Sequence, residues 1–239
     1  LPICDRREVH HLGRFPVNRG AGPQSTAKFI TLEGGEGAGK STQIRLLADA
    51  LKNAGLDPLI TREPGGAPAA EIIRGLLVEG AVDRWQPMTE ALLHFAARLE
   101  HVHATVFPAL IAGRWVVSDR FSDSTVAYQG YGHDLGQADM VRLHGLVLGD
   151  FQPDLTIILD IPVAEGLARA GRRESAEGAG EDRYERMDPD FHRRLRDGFL
   201  DVARRNPERC AVIDAAQSPQ QIHPAILGLV GHRLGTVLP

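Results

Sequence analysis

Cysteine is scarce. The 239 residues contain two, Cys4 and Cys210, and neither sits in a CxxC or CxxxxH spacing. That speaks against a disulfide framework or a structural zinc site and for a reducing, cytoplasmic setting. Long apolar runs are missing too: the densest, residues 155–159, ends at Asp160, where a membrane span needs ~18 residues. A soluble protein with no membrane partner is expected. Neither charge sign dominates, with 27 basic against 31 acidic residues and a net charge of -4. No nucleic-acid footprint covers such a chain, and anionic ligands must be met by local arginines. Residues 1–27 have basic side chains but no apolar h-region, so they are not a secretory signal, and Asp5 and Glu8 argue against a transit peptide. They read as a flexible N-terminal extension that carries no chemistry. Internal repeats are absent, and 26 glycines with 15 prolines fall below low-complexity usage.

What is present is ordinary globular material, 43% hydrophobic and 24% charged, enough for one large domain over residues 28–239. Strand-like and helix-like segments alternate along it. Residues 29–32 are a short apolar strand; a glycine-rich turn at 34–39 follows, then a helix carrying Ile44, Leu47, Ala48 and Leu51 and stopped by Gly55. A second strand covers 59–61 and closes in Pro64-Gly65-Gly66. Ile72, Ile73, Leu76 and Leu77 mark a helix ending at Gly80, and a long helix starts near Thr89, with Pro108 as a break or kink. Residues 115–117 form a third strand that delivers Asp119 and Arg120 at its carboxyl end. A helix over 138–148, a strand over 155–159 and a helix over 163–170 come next. Residues 171–187 are charged and glycine-containing, which reads as a mobile surface loop. A helix through Phe191, Leu195, Phe199 and Val202, a fifth strand at 211–213 and a helix over 219–233 complete the chain. The alternation predicts an α/β fold: a five-stranded parallel sheet with helices on both faces, and ligands at the carboxyl ends of the strands.

One motif carries chemistry directly. Gly34-Gly35-Glu36-Gly37-Ala38-Gly39-Lys40-Ser41 fits G-x-x-x-x-G-K-[ST] between a strand and a helix, the context a phosphate-binding loop requires. Glycines let backbone N–H groups curl around phosphate oxygens, and the helix N-terminus adds positive charge. Lys40 reaches the β- and γ-phosphates, and Ser41 takes a Mg²⁺ position. A nucleoside triphosphate such as ATP is therefore expected. Three classes remain: a switch or motor NTPase, a transport ATPase, and a small-molecule kinase with a second anionic site. Arg62 after the second strand, Arg98 on the long helix and Arg120 after the third strand favour the kinase, because the planar guanidinium binds phosphate oxygens bidentately.

The motifs Glu33-Gly34-Gly35-Glu36-Gly37-Ala38-Gly39-Lys40-Ser41-Thr42, Thr61-Arg62-Glu63-Pro64-Gly65-Gly66, Ala96-Ala97-Arg98, Asp119-Arg120-Phe121 and Ser124-Thr125-x-x-Tyr128-Gln129-Gly130 occur in this order. Together they resemble the thymidylate kinase family from about residue 28 to beyond 213. The resemblance implies a P-loop NTPase fold of the nucleoside-monophosphate-kinase type, the reaction ATP + dTMP → ADP + dTDP with Mg²⁺, and a homodimer. It also implies roles. The loop from Gly34 to Thr42 holds ATP; Arg120 and Arg62 hold the acceptor phosphate; Asp119, with Ser41, supports Mg²⁺. Arg98 donates to O4 of thymine, Ser124, Thr125 and Gln129 line the acceptor site, and Tyr128 crowds the 2′ position. Kinases for other nucleoside monophosphates, and an NTPase acting on water, remain the alternatives.

Glu36 is implied to approach the sugar 3′-hydroxyl. The next position is arginine in some members and Gly37 here, which resembles the bacterial-like type, whose lid supplies an arginine to the transferring phosphate. The lid is placed at about 169–187, with Arg169, Arg172 and Arg173 ahead of Arg183 and Arg186 as its source. Four residues before Arg98, where the family usually stacks an aromatic on the base, stands His94; Phe95 beside it points about 100° away on a helix. Cys210 and Asp214-Ala215 weakly resemble the adenine-side loop.

Overall fold

The computed structural model describes residues 27–177 and 183–238, and side chains for 27–172 and 183–238. The expected extension lies outside these residues, apart from Ala27. Five strands form one sheet: β1 (Phe29–Glu33), β2 (Pro58–Arg62), β3 (Trp115–Asp119), β4 (Leu155–Asp160) and β5 (Cys210–Asp214). Every pairing is parallel and the spatial order is β2-β3-β1-β4-β5. β1 is therefore central, and all five of its residues are buried, as an apolar run between two helical layers demands. Each strand runs one or two residues beyond the range read from sequence, because backbone pairing continues past the apolar run.

The helices are α1 (Lys40–Asn53), α2 (Pro68–Val78), α3 (Pro87–His101), α4 (Phe107–Ile111), α5 (Ser122–Thr125), α6 (Gln137–Leu148), α7 (Val163–Glu177), α8 (Pro189–Arg205) and α9 (Pro219–Leu234). On one face, Ile30 and Leu32 of β1 meet Ile44, Leu47 and Leu51 of α1 and Ile222, Ile226 and Val230 of α9 in a single core cluster. On the other, Phe29 packs with Val102, Val106, Phe121 and Leu148, while Ile158 joins Phe191, Leu195 and Phe199 of α8.

Three local readings are corrected. Pro108 does not break the chain: a π-helical turn at Val102–Val106 leads into α4, with the proline in its first turn, where a missing N–H is tolerated. The segment expected as a loop from residue 171 continues α7 to Glu177; Arg172 to Glu177 are mostly good helix formers, and Gly171 alone does not stop them. Residues 122–132, given no element from sequence, form α5 and a second π-helical stretch, Val126–Gly132. That helical segment follows Arg120, which has a left-handed φ of 70°.

Candidate active site

The carboxyl ends of β1, β2 and β3 open onto a cleft of about 800 Å³ that reaches from the phosphate loop to α3 and the π-helical stretch after α5. The loop between β1 and α1 curls back through glycines with positive φ, 133° at Gly34, 67° at Gly37 and 89° at Gly39. Lys40 is buried and donates to the carbonyls of Gly34 (3.1 Å) and Gly35 (2.9 Å), closing the loop into a ring. Burial, assisted by the Arg120 charge, lowers its pKa. Ser41 Oγ donates to Asp119 Oδ2 at 3.1 Å. This hydroxyl–carboxylate pair next to the loop is a set of hard oxygen donors, which suits Mg²⁺ completed by phosphate and water oxygens.

Arg120 ties the two halves of the cleft together. Its Nη1 donates to Gly34 O (2.9 Å) and Ser124 Oγ (3.1 Å), its Nη2 to Glu36 Oε1 (3.1 Å), and the guanidinium lies 4.9 Å above the Tyr128 ring centroid. Burial would push the Glu36 carboxyl up, but the charges of Arg120 and Lys40 and the Tyr128 hydroxyl, which donates to it, hold it at about 2. Behind this group Glu33 is buried, accepting from Phe121 N at 2.7 Å and from Ser124 Oγ at 2.5 Å. Burial, with Asp123 adding its negative charge, drives the Glu33 carboxyl well above the usual range.

Arg98, on α3, is almost completely buried. Its Nε donates to Glu63 (2.7 Å), and its Nη2 to Phe121 O (3.1 Å) and Thr125 Oγ1 (2.9 Å). Nη1 is buried with no hydrogen-bond partner among the described residues. Glu63 is held ionised against its burial by Arg98 and His101. Arg62 is half-exposed at the rim and donates to both Glu71 oxygens. His94 lines the cleft whereas Phe95 is buried against Arg98. The His94 Nε2 lies 2.9 Å from the Tyr184 hydroxyl, and burial pushes the ring's pKa down to about 4, which keeps it neutral.

The arginines expected in a lid divide. Arg169 donates to Ala215 O (2.9 Å), Ala216 O (3.1 Å) and Glu165 (2.6 Å); its fork is occupied on the β5–α9 loop and does not reach into the cleft. Arg183 is fully buried, paired with Glu90 at 2.5 Å and donating to the carbonyls of Leu77, Ala81 and Val82; it is a packing residue. Arg186 donates to Gly80 O at 2.6 Å. Arg172 is exposed on α7, and the side chain of Arg173 lies outside the described residues. Glu33, Glu63, Glu90 and Tyr184 are the site residues that sequence reasoning missed. Glu63 stood inside a quoted motif, and Tyr184 stood among arginines in a segment read for charge alone.

The chain is similar to known proteins over most of its length. The family model described as "Thymidylate kinase" matches residues 32–226. The chain is 53% identical to the thymidylate kinase of Caulobacter vibrioides over 207 residues, covering 87% of this chain and 97% of the relative. It is 49% identical to that of Afipia carboxidovorans over 212 residues, 89% and 92% of the two chains. The crystal structure of thymidylate kinase from Ehrlichia chaffeensis superposes with a TM-score of 0.67 at 33% identity, over 85% of this chain and 98% of that one. With a P-loop facing buried arginines across one cleft, and with these relatives spanning nearly its whole described length, the chain belongs to the thymidylate kinase family.

Proposed function

We propose that the family's reaction, transfer of the ATP γ-phosphoryl group to dTMP to give ADP and dTDP, runs in this cleft between two anions that meet at Arg120. The observation that carries the reading is that Arg120, expected on the acceptor phosphate, bonds the phosphate loop itself through Gly34 O and Glu36. Donor and acceptor sites are thus one bond apart. The acceptor phosphate has its second pKa near ~6 and is largely dianionic at neutral pH, so no general base is required. Charge neutralisation and alignment are the whole task.

The residues divide that task. Gly34 to Thr42 cradle the triphosphate, with Lys40 exchanging its loop carbonyls for phosphate oxygens. Ser41 and Asp119 would hold Mg²⁺, whose role when bound is to neutralise phosphate charge. Arg120 and Arg62 receive the acceptor phosphate, Glu36 the sugar 3′-hydroxyl, and Tyr128 the space a 2′-hydroxyl would need. Ser124 holds Arg120, and Thr125 holds Arg98, which offers its free Nη1 to O4 of the base. His94 and Tyr184 flank the base. Arg172 and Arg173 are the lid residues left to supply charge to the moving phosphoryl group, since Arg169, Arg183 and Arg186 are engaged elsewhere.

Residues 28–239 act as one kinase domain with its lid at about 169–187. No helix among the described residues is long and apolar enough to cross a membrane, and a cytoplasmic enzyme fits the two cysteines. A homodimer is supported by apolar side chains exposed on three neighbouring helices: Ile72 and Leu76 of α2, Met88 and Leu92 of α3, Val141 and Leu146 of α6. Measuring kcat/KM by coupled ADP release against dTMP, dUMP, dCMP, dAMP and dGMP, with a no-acceptor control, tests the reading. Preference for dTMP is expected. Preference for another monophosphate, or ADP release indifferent to all of them, overturns it.

A further inference from the structure

Glu90, in the first turn of α3, and Gln129, in the π-helical stretch after α5, are both completely buried. Gln129 Nε2 donates to Glu90 Oε1 at 2.8 Å. The other end of the amide, Oε1, lines the cleft and is buried with no hydrogen-bond partner among the described residues. A carboxylate only accepts, so Glu90 dictates which end of the Gln129 amide faces it and which end faces the cleft. The second oxygen of Glu90 lies 2.5 Å from Arg183 Nη2, a group that only donates, and Arg183 is anchored on three backbone carbonyls. His133 Nε2 stands 3.2 Å from Oε1. Although burial favours protonation, the His133 bond and the neighbouring Arg183 charge keep Glu90 ionised.

The inner cleft therefore presents two unpaired groups of fixed polarity: an acceptor, Gln129 Oε1, and a donor, Arg98 Nη1. They belong to one cluster, because Arg98 also bonds Thr125, four residues before Gln129. A ligand that satisfies both must offer an N–H beside a carbonyl oxygen. The N3–H and O4 of a 4-oxo pyrimidine do so. A 4-amino pyrimidine offers a bare ring nitrogen and an amino group, wrong at both positions, and leaves buried groups unpaired, the strongest form of discrimination available to a binding site.

We propose that Glu90 is a positioning residue that sets the base selectivity of the acceptor site by locking the Gln129 amide with its oxygen toward the cleft. This rests on the reading that the inner cleft receives the acceptor base. Glu90→Gln supplies the test. Arg183 claims the new carbonyl oxygen, the new NH₂ turns to Gln129, and Gln129 must accept, so its own NH₂ swings toward the cleft. The ratio of kcat/KM for dTMP to that for dCMP is expected to fall at least about tenfold. The dTMP to dUMP ratio, which reads the same N3–H and O4 edge on both sides, is expected to hold. Glu90→Asp, which remains a pure acceptor, should retain more of the dTMP to dCMP ratio than Glu90→Gln. If all three substrates decline together in Glu90→Gln and the dTMP to dCMP ratio is unchanged, Glu90 is only structural and the inference is wrong, with the kinase reading intact. If the unmutated enzyme itself fails to prefer dTMP over dCMP, the acceptor-site reading fails and takes the inference with it. Should Glu90→Gln not fold, the side-chain NH₂ protons of Gln129, assigned by NMR through their loss in Gln129→Leu, decide the matter in the unmutated enzyme. Slow solvent exchange both without and with dTMP is expected, and protection arising only on dTMP binding overturns the proposal.

Discussion

Gly37 and Gly166 meet backbone against backbone. A Cβ on Gly37, whose φ is 67°, would sit 2.0 Å from the Gly166 carbonyl oxygen, and a Cβ on Gly166 would sit 2.5 Å from the Glu36 carbonyl oxygen. The helix that leads into the lid thus rests directly on the tip of the phosphate loop. This contact gives a steric reason why the loop carries no arginine at residue 37. Gly166→Ala is expected to push the two apart, lowering stability by about 1–3 kcal/mol, or roughly 2–12 °C in Tm for a domain of this size, and cutting kcat more than it raises either KM. Thermal unfolding beside steady-state kinetics checks this; a variant of unchanged Tm and kcat contradicts the contact.

Removing the lysine should separate chemistry from folding. Lys40→Ala is expected to abolish measurable phosphoryl transfer while Tm stays close to the parent value, since Lys40 Nζ bonds only loop carbonyls that a phosphate would release. Normal turnover in the variant would rule out the phosphate-loop assignment.

Arg120→Ala should raise KM for dTMP far more than KM for ATP, as Arg120 faces the acceptor phosphate in this reading. Equal increases for both nucleotides would make it a donor-side or structural residue, a possibility that its bond to Gly34 O makes worth measuring.

For the lid, Arg172 and Arg173 changed together to Ala are expected to lose orders of magnitude in turnover, within the ~10³–10⁵ that supplied arginines contribute in phosphate-loop enzymes. Equilibrium binding of ATP and dTMP should change much less. Arg169→Ala, its guanidinium already held by Ala215 O and Ala216 O, should keep more of kcat. The reverse order of effects would return the catalytic role to Arg169.

Acid should loosen the site in a defined window. Glu36 titrates at about 2 in the folded protein, below its unfolded value of ~4.3. The stabilisation it contributes is complete above the unfolded value and is lost as pH falls from about 4.5 to about 2. In Glu36→Gln the unfolding free energy should decline less steeply across that interval than in the parent, as read by urea denaturation at a series of pH values. Parallel slopes would mean that Glu36 does not feel Arg120 and Lys40.

Period and punctuation made the sheet legible: short β-branched runs alternating with helical patterns, and a glycine-rich turn after the first. Residues 122–132 escaped because a chain that pivots at a non-glycine residue with positive φ, Arg120, and then follows π-helical geometry gives no 3.6-residue stripe. In the cleft, residues of the quoted motifs could be named in advance. Their buried counter-ions could not, because a glutamate in a turn or on a helix reads as solvated until the fold places it under an arginine, as it does Glu63 after β2 under Arg98 and Glu90 on α3 beside Arg183. The bonds of Arg169 and Arg183 were hidden for the same reason: charge is visible in a sequence, but the carbonyls and carboxylates that meet it are not.

The most direct test of the central claim follows phosphorus by ³¹P NMR in a mixture of the enzyme, ATP, dTMP and Mg²⁺. The γ-phosphate signal of ATP is expected to decay while ADP and the β-phosphate of dTDP grow in equal amounts, with dTMP disappearing at the same rate. Growth of inorganic phosphate with dTMP left intact would contradict it.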